Sequence, residues 1–382
     1  MIAVRIPISK PLVGGLEKHR VENVLDSGWL TQGEETFEFE RLVASYCGAN
    51  HAIAMNSATT ALHVALLLLG TGDGDEVIVP SYSHIATANA VTYTGAKPVF
   101  VDIRRSTYNI DERRISAAIG ERTRAIVVVH QVGLPVDLSA VGAIAKRHGV
   151  QVVEDAACAL GSAYGGQRIG GHGNIAVLSF HPRKVITTGE GGMILTDDPK
   201  LAEMARSLAS HGEALLDVHR HHAMRPTTEE FPRIGFNYRM TNIQGAIGVG
   251  QMSRLQEILD SRRALAHRYT RSLQEVPGVE VPIEPDGYEP NYQSYMVRIT
   301  PETGTTRDQV MLGLRESGIA TRPGITAIHR QLSYRAHADR STLKETEQAV
   351  DEALILPLYP QLTEEEQDEV IETLTSLATG RP

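Results

Sequence analysis

The chain has 382 residues, of which 42% are hydrophobic and 22% are charged, a balance typical of a globular protein. Its formal net charge of −9 argues against nucleic acid or an anionic membrane surface as a partner, although a locally positive pocket can still bind a small anion. The two cysteines, Cys47 and Cys158, predict no disulfide framework, so we expect a cytoplasmic protein. No apolar run approaches the roughly 20 residues of a membrane helix.

Short apolar strands alternate with helical stretches between residues 50 and 200. The predicted strands are Ala52–Met55, Glu76–Val79, Pro98–Val101, Ala125–Val129, Val150–Val153, Ile175–Phe180 and Met193–Thr196. The predicted helices are Ser57–Leu69, Ala86–Tyr93, Asp111–Ile119 and Leu138–His148. Several of the strands are continuous Val/Ile runs, which is typical of strands buried on both faces. The alternation predicts an α/β fold with a mostly parallel sheet covered by helices, and ligands of such sheets bind at the carboxyl ends of the strands.

The C-terminal third of the chain has a different pattern. A long helical stretch runs from Met240 to about Leu273 and is ended by prolines. The predicted elements after it are the strand Ser294–Ile299, the helix Arg307–Ser317, the strand Ile319–Arg322 and the helices Leu343–Ala353 and Glu364–Leu377. Because the length suggests two domains, we predict a large α/β domain over residues 1–255, whose N-terminal segment lines the cleft. Residues 256–382 are predicted to form a smaller α+β domain.

A lysine and a glycine-rich turn follow one of the predicted strands, within Ser179–Gly192. The strand ends at Phe180, and Lys184 follows four residues later, where an α/β sheet keeps its ligand. An amine in that position can form an imine with a carbonyl compound. A lone lysine in such a loop is more often a solvated surface residue, so this segment by itself leaves both interpretations open.

Two further segments supply complementary groups. Glu154 and Asp155 end a predicted buried strand, where a carboxylate needs a cationic partner such as a protonated pyridine nitrogen, although a helix N-cap explains Asp155 equally well. Asn56–His63 follows a strand and opens a helix, whose free N–H groups can bind a phosphate or can simply be capped. Together, a lysine, a carboxylate and a helix N-terminus are the parts that a pyridoxal-phosphate site requires.

Nearly the whole chain resembles the DegT/DnrJ/EryC1/StrS family of sugar aminotransferases, which are pyridoxal-phosphate enzymes of fold type I. The resemblance is carried by Ser27–Gly33, Val79–Ala90, the segments around Asp155 and Lys184, Gly235–Gln244 and Leu356–Pro360. It implies a mostly parallel sheet sandwiched by helices together with a smaller C-terminal α+β domain.

The resemblance also implies roles for individual residues. Lys184 would bind the cofactor as an imine and then move protons as general base and acid. Asp155 would pair with the pyridine nitrogen. Ser179 and the backbone around Ala58 and Thr59 would hold the phosphate.

Three more cofactor contacts follow from the same resemblance. Asn237 matches an asparagine that the neighbouring subunit contributes to the phosphate site, which implies a homodimer with shared active sites. His84 stands where the family usually stacks a Trp or Phe on the cofactor ring. Cys158 stands where Gln or His is common near the ring's phenolic oxygen.

The implied reaction is transamination. L-Glutamate or glutamine would convert the cofactor to pyridoxamine phosphate, and the amine would then pass to the keto group of a nucleotide-linked deoxysugar. His329 is retained in a segment that contacts substrate in the family, but Gly324 and Ile325 replace a His-Tyr pair there, so the sugar and its nucleotide stay open. A ketocyclitol acceptor is an alternative. A sugar dehydratase, which carries histidine in place of the lysine, and a non-catalytic relative are disfavoured by Lys184.

No metal site is predicted. The cluster His219–His222 lies in a polar stretch, and we expect a solvated loop there rather than metal ligands.

Overall fold

Helices and strands alternate through the first two hundred residues, and the computed structural model describes residues 4–214, 230–337 and 342–380. The helices in these ranges are α1 (Gly15–Ser27), α2 (Glu34–Cys47), α3 (Ala58–Leu68), α4 (Ile85–Tyr93), α5 (Glu112–Ala118), α6 (Leu138–His148), α7 (Pro199–Ala209), α8 (Asn242–Met252), α9 (Leu255–Leu273), α10 (Arg307–Glu316), α11 (Lys344–Glu352) and α12 (Glu364–Thr379). The strands are β1 (His51–Met55), β2 (Glu76–Pro80), β3 (Lys97–Val101), β4 (Thr123–Val129), β5 (Gln151–Asp155), β6 (Ala163–Tyr164), β7 (Gln167–Arg168), β8 (Ile175–Ser179), β9 (Gly192–Thr196), β10 (Val279–Glu280), β11 (Tyr288–Glu289), β12 (Tyr295–Ile299), β13 (Arg322–Pro323) and β14 (Ala353–Leu356).

The large sheet has seven strands in the order β1-β9-β8-β5-β4-β2-β3. Neighbours from β8 to β3 pair in parallel, whereas β9 is antiparallel to both β8 and β1. All strands except β9 therefore point the same way, which confirms the predicted mostly parallel sheet. Their carboxyl ends lie at one edge of the sheet, where the sequence places the candidate site residues.

Both faces of this sheet are covered by helices. Ile126 and Val128 of β4 pack in a core that includes α2 and α6, while Val127 packs in a second core that includes α3, α4 and α7. Successive residues of a strand point to opposite faces of the sheet, so β4 contributes side chains to both cores. This double burial is the physical reason for the continuous Val/Ile runs in the sequence.

A second, antiparallel sheet forms in the C-terminal part, in the order β10-β12-β14-β13. A third core lies against it, and helix α9 joins that core to the large sheet. Leu255 and Ile258 at the start of α9 belong to a core of the large sheet, whereas Leu265 and Tyr269 belong to the C-terminal core. Ile6, from the N-terminal segment, also packs in the C-terminal core. The division of the chain at residues 255 and 256 stays a prediction.

Some predicted elements differ from the structure. The helical stretch from Met240 to Leu273 is two helices, because Arg254 leaves the helical region with φ −116° and ψ 10°. Strand β14 was not predicted, since its short apolar run continues directly from α11 and resembles the buried end of that helix. The strand predicted at Ile319–Arg322 is shorter, and Ile319 makes only a single bridge, to Ile6.

Two findings concern the whole described chain. None of the helices in the described ranges is both long enough and apolar enough to cross a membrane. The described residues contain no group of three His, Cys, Asp or Glu side chains placed to hold a metal ion. The histidine cluster His219–His222 lies outside the described residues.

Candidate active site

The ends of three strands converge at the predicted phosphate site. Met55, the last residue of β1, pairs with Gly192 of β9, and Gly192 pairs in turn with Ser179, the last residue of β8. A Cβ on Gly192 would lie 2.4 Å from the backbone of Ser57 and Ala58. Only glycine therefore lets the start of α3 rest directly on β9. This close approach brings the helix N-terminus beside the strand end that carries Ser179.

The first turn of α3 has the groups that an anion needs. Ser57 caps the helix, and its Oγ accepts a hydrogen bond from the Thr60 amide at 3.2 Å. The first intrahelical bond, from the Ala61 amide to the Ser57 carbonyl, is 3.1 Å long. The amides of Ala58 and Thr59 precede that bond and lie outside the helical ladder. With the positive end of the helix dipole behind them, they suit a phosphate group.

Asp155 is the last residue of β5 and is only 5% exposed. Its Oδ2 accepts a hydrogen bond of 2.8 Å from the Thr87 hydroxyl, and its Oδ1 accepts one of 3.2 Å from the Ala157 amide. Residues 156–162 form turns and no helix, so the helix-cap interpretation of Asp155 is wrong. Both of these partners are neutral, which leaves the buried negative charge available for a cationic ligand.

Glu154 points away from Asp155, as alternation along a strand requires. Its carboxylate accepts hydrogen bonds from His130 Nε2 at 3.0 Å and from the Asn174 amide at 2.8 Å. Burial favours the neutral carboxyl group, but the bonds from His130 and Asn174 outweigh it and lower the pKa of Glu154. Glu154 thus belongs to a buried hydrogen-bond network, whereas Asp155 belongs to the candidate site.

Lys184 lies in the loop that follows β8, and its Nζ donates a hydrogen bond of 3.1 Å to the Cys158 sulfur. Lys184 also lines a small cavity together with Arg183, Arg262 and the N-terminal segment Ser9–Leu12. The lining side chains include four cations, Lys10 among them, and no carboxylate occurs among these described residues. The surroundings of Lys184 are therefore positively charged in spite of the net negative charge of the chain.

His84 begins helix α4 as its N-cap, where its Nδ1 accepts a hydrogen bond of 3.3 Å from the Ala86 amide. Partial burial of the ring and the positive charge of Lys184 lower the pKa of His84, while the charge of Asp155 acts in the opposite direction. The ring is thus close enough to Lys184 and Asp155, the two main predicted cofactor contacts, to interact electrostatically with both. Its lowered pKa favours the neutral imidazole, the form that stacks most readily on a cationic ring.

Asn237 belongs to a segment that runs beside the end of β1. The Asn56 amide donates a hydrogen bond of 2.8 Å to the Tyr238 carbonyl, and Met55 forms a bridge with Arg239. The Asn237 residue itself is exposed, and its carbonyl accepts a bond of 3.4 Å from the Asn56 side chain. Its contribution to the phosphate site of a neighbouring subunit stays a prediction.

His329 is 1% exposed, and both of its ring nitrogens have partners within the chain. Its Nδ1 lies 2.6 Å from the Ser81 hydroxyl, and its Nε2 lies 2.8 Å from the Glu347 carboxylate. The predicted contact between His329 and substrate stays a prediction, because a ring so enclosed reaches a ligand only through these neighbours.

Comparison with known proteins decides the family. Residues 12–375 match the DegT/DnrJ/EryC1/StrS aminotransferase family. The chain belongs to this family. It is 42% identical to the GDP-perosamine synthase of Caulobacter vibrioides over 372 residues, 97% of each chain.

Solved structures of this aminotransferase family have the same fold. The aminotransferase TlmJ from Streptoalloteichus hindustanus is 34% identical, with a TM-score of 0.90 over 98% of this chain and 99% of that one. The PLP form of the sugar aminotransferase Spr1654 from Streptococcus pneumoniae is 27% identical, with a TM-score of 0.91 over 99% of both chains. These similarities confirm the predicted α/β fold and the assignment of the chain as an aminotransferase.

Sequence reasoning missed two hydroxyl residues next to Asp155 in the candidate site. Thr87 donates to Asp155, and Ser83 lies 2.9 Å from Thr87, between their hydroxyl oxygens. One pattern pointed to Thr87. It lies three residues after His84 at the start of a predicted helix, and residues with that spacing share one helix face.

Proposed function

We propose that the chain is a pyridoxal-phosphate-dependent aminotransferase that moves an amino group from L-glutamate, or glutamine, to the keto group of a nucleotide-linked deoxysugar. The observation that carries the proposal is the convergence of Lys184, Asp155 and the α3 N-terminus at the carboxyl ends of neighbouring strands. Each of these groups matches a different part of one cofactor.

The residues fit pyridoxal 5′-phosphate in both charge and hydrogen bonding. The Ser179 hydroxyl and the amides of Ala58 and Thr59 would hold the phosphate, and the buried Asp155 carboxylate would pair with the protonated ring nitrogen. The His84 ring would lie against the cofactor ring. When bound, the cofactor supplies an electron sink for the carbanion formed at the amino donor.

Lys184 is assigned the proton transfers of both half-reactions. Its Nζ would hold the cofactor and, as a free amine, would move a proton between the donor's Cα and C4′ of the cofactor. The hydrogen bond to Cys158 holds this flexible side chain at the strand end where the transfer takes place. Ser9–Leu12 line the same cavity as Lys184.

The proposed acceptor rests on two observations. The GDP-perosamine synthase of C. vibrioides is similar over 97% of its length, which supports a nucleotide-linked sugar as the substrate class. The exposed Lys10 and Arg183 line the cavity beside Lys184, and their positive charges would attract an anionic diphosphate.

The proposed assembly is a homodimer with shared active sites in the cytoplasm. Asn237 is exposed in the described structure, which supports a contact with a neighbouring subunit. The two cysteines are both unpaired, which supports a reducing compartment. Sedimentation of the purified protein would give a dimer under this proposal.

The visible absorption spectrum of the protein with pyridoxal phosphate tests the proposal. Wild type should show the band of the lysine-bound cofactor and lose it when L-glutamate is added. Lys184→Ala should show neither change, whereas Lys146→Ala, which alters an exposed lysine of α6, should behave as wild type. A wild-type protein that never forms the band would refute the proposal. A protein that responds to glutamate but aminates a ketocyclitol and no nucleotide-linked ketosugar would refute the acceptor alone.

A further inference from the structure

Helix α4 carries a threonine that contacts the carboxylate assigned to the cofactor. Thr87 is 1% exposed and lies in the first turn of α4, where its amide donates a bond of 3.1 Å to the His84 carbonyl. Its hydroxyl donates a bond of 2.8 Å to Asp155 Oδ2. The first turn of α4 therefore fixes the positions of both His84 and the hydroxyl group that contacts Asp155.

The direction of the hydrogen bonds follows from the number of protons. An ionised carboxylate only accepts, so the single hydroxyl proton of Thr87 goes to Asp155. Ser83 Oγ lies 2.9 Å from Thr87 Oγ1, and Ser83 is also 1% exposed. The Ser83 hydroxyl must therefore donate to Thr87. The order of donation is Ser83 to Thr87 to Asp155.

These donors restrain the carboxylate before any cofactor binds. Asp155 receives the Thr87 hydroxyl on one oxygen and the Ala157 amide on the other. Two donors on different oxygens hold the carboxylate plane, and each oxygen keeps a further lone pair for a ligand. A charged group held in its binding geometry costs less ordering entropy when its partner arrives.

The backbone of Ser83, where the chain of hydroxyls begins, is bonded to the C-terminal part of the molecule. The Ser83 amide donates to the Thr326 carbonyl at 3.2 Å, and the Thr326 hydroxyl donates to the Ser83 carbonyl at 3.1 Å. Thr326 lies between strand β13 and His329, in the segment for which the family resemblance implies a contact with substrate. The position of Ser83 is thus set by a segment far away in sequence.

We infer that Thr87 and Ser83 are positioning residues for the cofactor. Thr87 holds the Asp155 carboxylate in the orientation that pairs with the pyridine nitrogen, and Ser83 connects that orientation to the segment around Thr326. The inference rests on the proposed function, because it concerns the same cofactor. The affinity for the cofactor would then depend on the hydroxyl groups of Thr87 and Ser83 as well as on Asp155.

The test compares Thr87→Val, which removes the hydroxyl, with Thr87→Ser, which keeps it. Thr92→Val is the matched control, since Thr92 lies on the same helix and its hydroxyl, among the described residues, bonds the Ala88 carbonyl and Tyr334 rather than Asp155. The dissociation constant of pyridoxal phosphate is measured by titrating cofactor-free protein. Loss of one hydrogen bond to a charged group should raise it about tenfold in Thr87→Val. Thr87→Ser and Thr92→Val should stay close to wild type.

A second measurement separates positioning from general damage to the fold. The pH dependence of the visible band of the bound cofactor should shift in Thr87→Val and should match wild type in Thr87→Ser. Thermal unfolding of the cofactor-free protein reports the stability of the fold. Should Thr87→Val not fold, Ser83→Ala should weaken cofactor binding in the same direction by a smaller factor.

Two outcomes would overturn the inference. If Thr87→Val keeps the wild-type dissociation constant and pH profile, Thr87 has no positioning role. The same conclusion follows if Thr87→Val and Thr87→Ser weaken cofactor binding equally. Failure of the proposed function looks different, because wild type itself would then not bind the cofactor.

Discussion

The Nζ atom of Lys184 donates a hydrogen bond of 3.1 Å to the sulfur of Cys158. The thiol lies three residues beyond Asp155, in the turn that follows β5, so one short segment supplies both the proposed partner of the ring nitrogen and the lysine's neighbour. A partly exposed thiol beside an amine is placed to react with electrophiles. Cys158 therefore offers a chemical probe of the site that does not depend on turnover.

Alkylation by iodoacetamide should distinguish the two cysteines. Burial raises the pKa of Cys47 to about 12, so Cys47 should react only after denaturation. Cys158 should react in the native protein, and pyridoxal phosphate should slow the reaction by occupying the space beside Lys184. Peptide mass spectrometry identifies the modified residue, and Cys158→Ser serves as the control. Native labelling of Cys47 would contradict this account of its burial.

Gly192→Ala should damage the phosphate site. The new Cβ would lie 2.4 Å from the Ser57 and Ala58 backbone, which cannot move aside without displacing the start of α3. We expect a loss of about 1–3 kcal/mol in the free energy of unfolding, with weaker cofactor binding. Gly142→Ala in α6 is the matched control, because a Cβ there meets no atom within 4 Å. Alanine in that exposed helical position should stabilise by about 0.5–1 kcal/mol. Urea unfolding measures the change in the free energy of unfolding for each variant, and equal changes in the two variants would contradict the prediction.

His63 should make stability depend on pH. It is 4% exposed, and burial lowers its pKa in the folded state. As the pH falls below about 6.5, the unfolded chain therefore binds a proton that the folded chain does not, and the free energy of unfolding decreases. His63→Gln should lose less stability between pH 7 and pH 5 than wild type, as measured by urea unfolding at each pH. His148→Gln, at an exposed position, should keep the wild-type acid sensitivity.

His329→Ala tests whether this histidine is structural or contacts substrate. The substitution leaves the Ser81 hydroxyl and the Glu347 carboxylate each short of one buried partner. We expect a loss of about 2 kcal/mol or more in the free energy of unfolding. Leu332→Ala, three residues on and 83% exposed, should change little. Unchanged stability with a raised KM for the ketosugar would instead favour direct substrate contact.

Much of the large sheet could be predicted because its strands are marked by apolar runs that are visible in short stretches of sequence. The run Ala125–Val129 in β4 is apolar at successive positions, as a strand buried on both faces must be, and each predicted strand lies within two residues of the observed one. Lys184 and Asp155 could be located for a related reason. Each follows a buried strand, and the carboxyl ends of parallel strands meet at one edge of a sheet.

The partners of the site residues could not be predicted in the same way. Nothing near Lys184 in sequence indicates that Cys158 is its neighbour, since 26 residues separate them. His329 and Ser81 are 248 residues apart, and their contact depends on how the C-terminal segment packs against the end of β2. The break at Arg254 is likewise decided by packing, because α9 must reach two cores.

The sequence by itself determined the alternation of strands and helices, the lysine, the carboxylate and the helix N-terminus. These features depend on residue type and on spacing over a few positions. Only the tertiary structure decided that Thr87 restrains Asp155, that His329 is enclosed and that Gly192 lets α3 rest on β9. Such contacts join residues that are distant in the chain, so they are settled by the order of strands in the sheet and by close packing between elements, which no local pattern encodes.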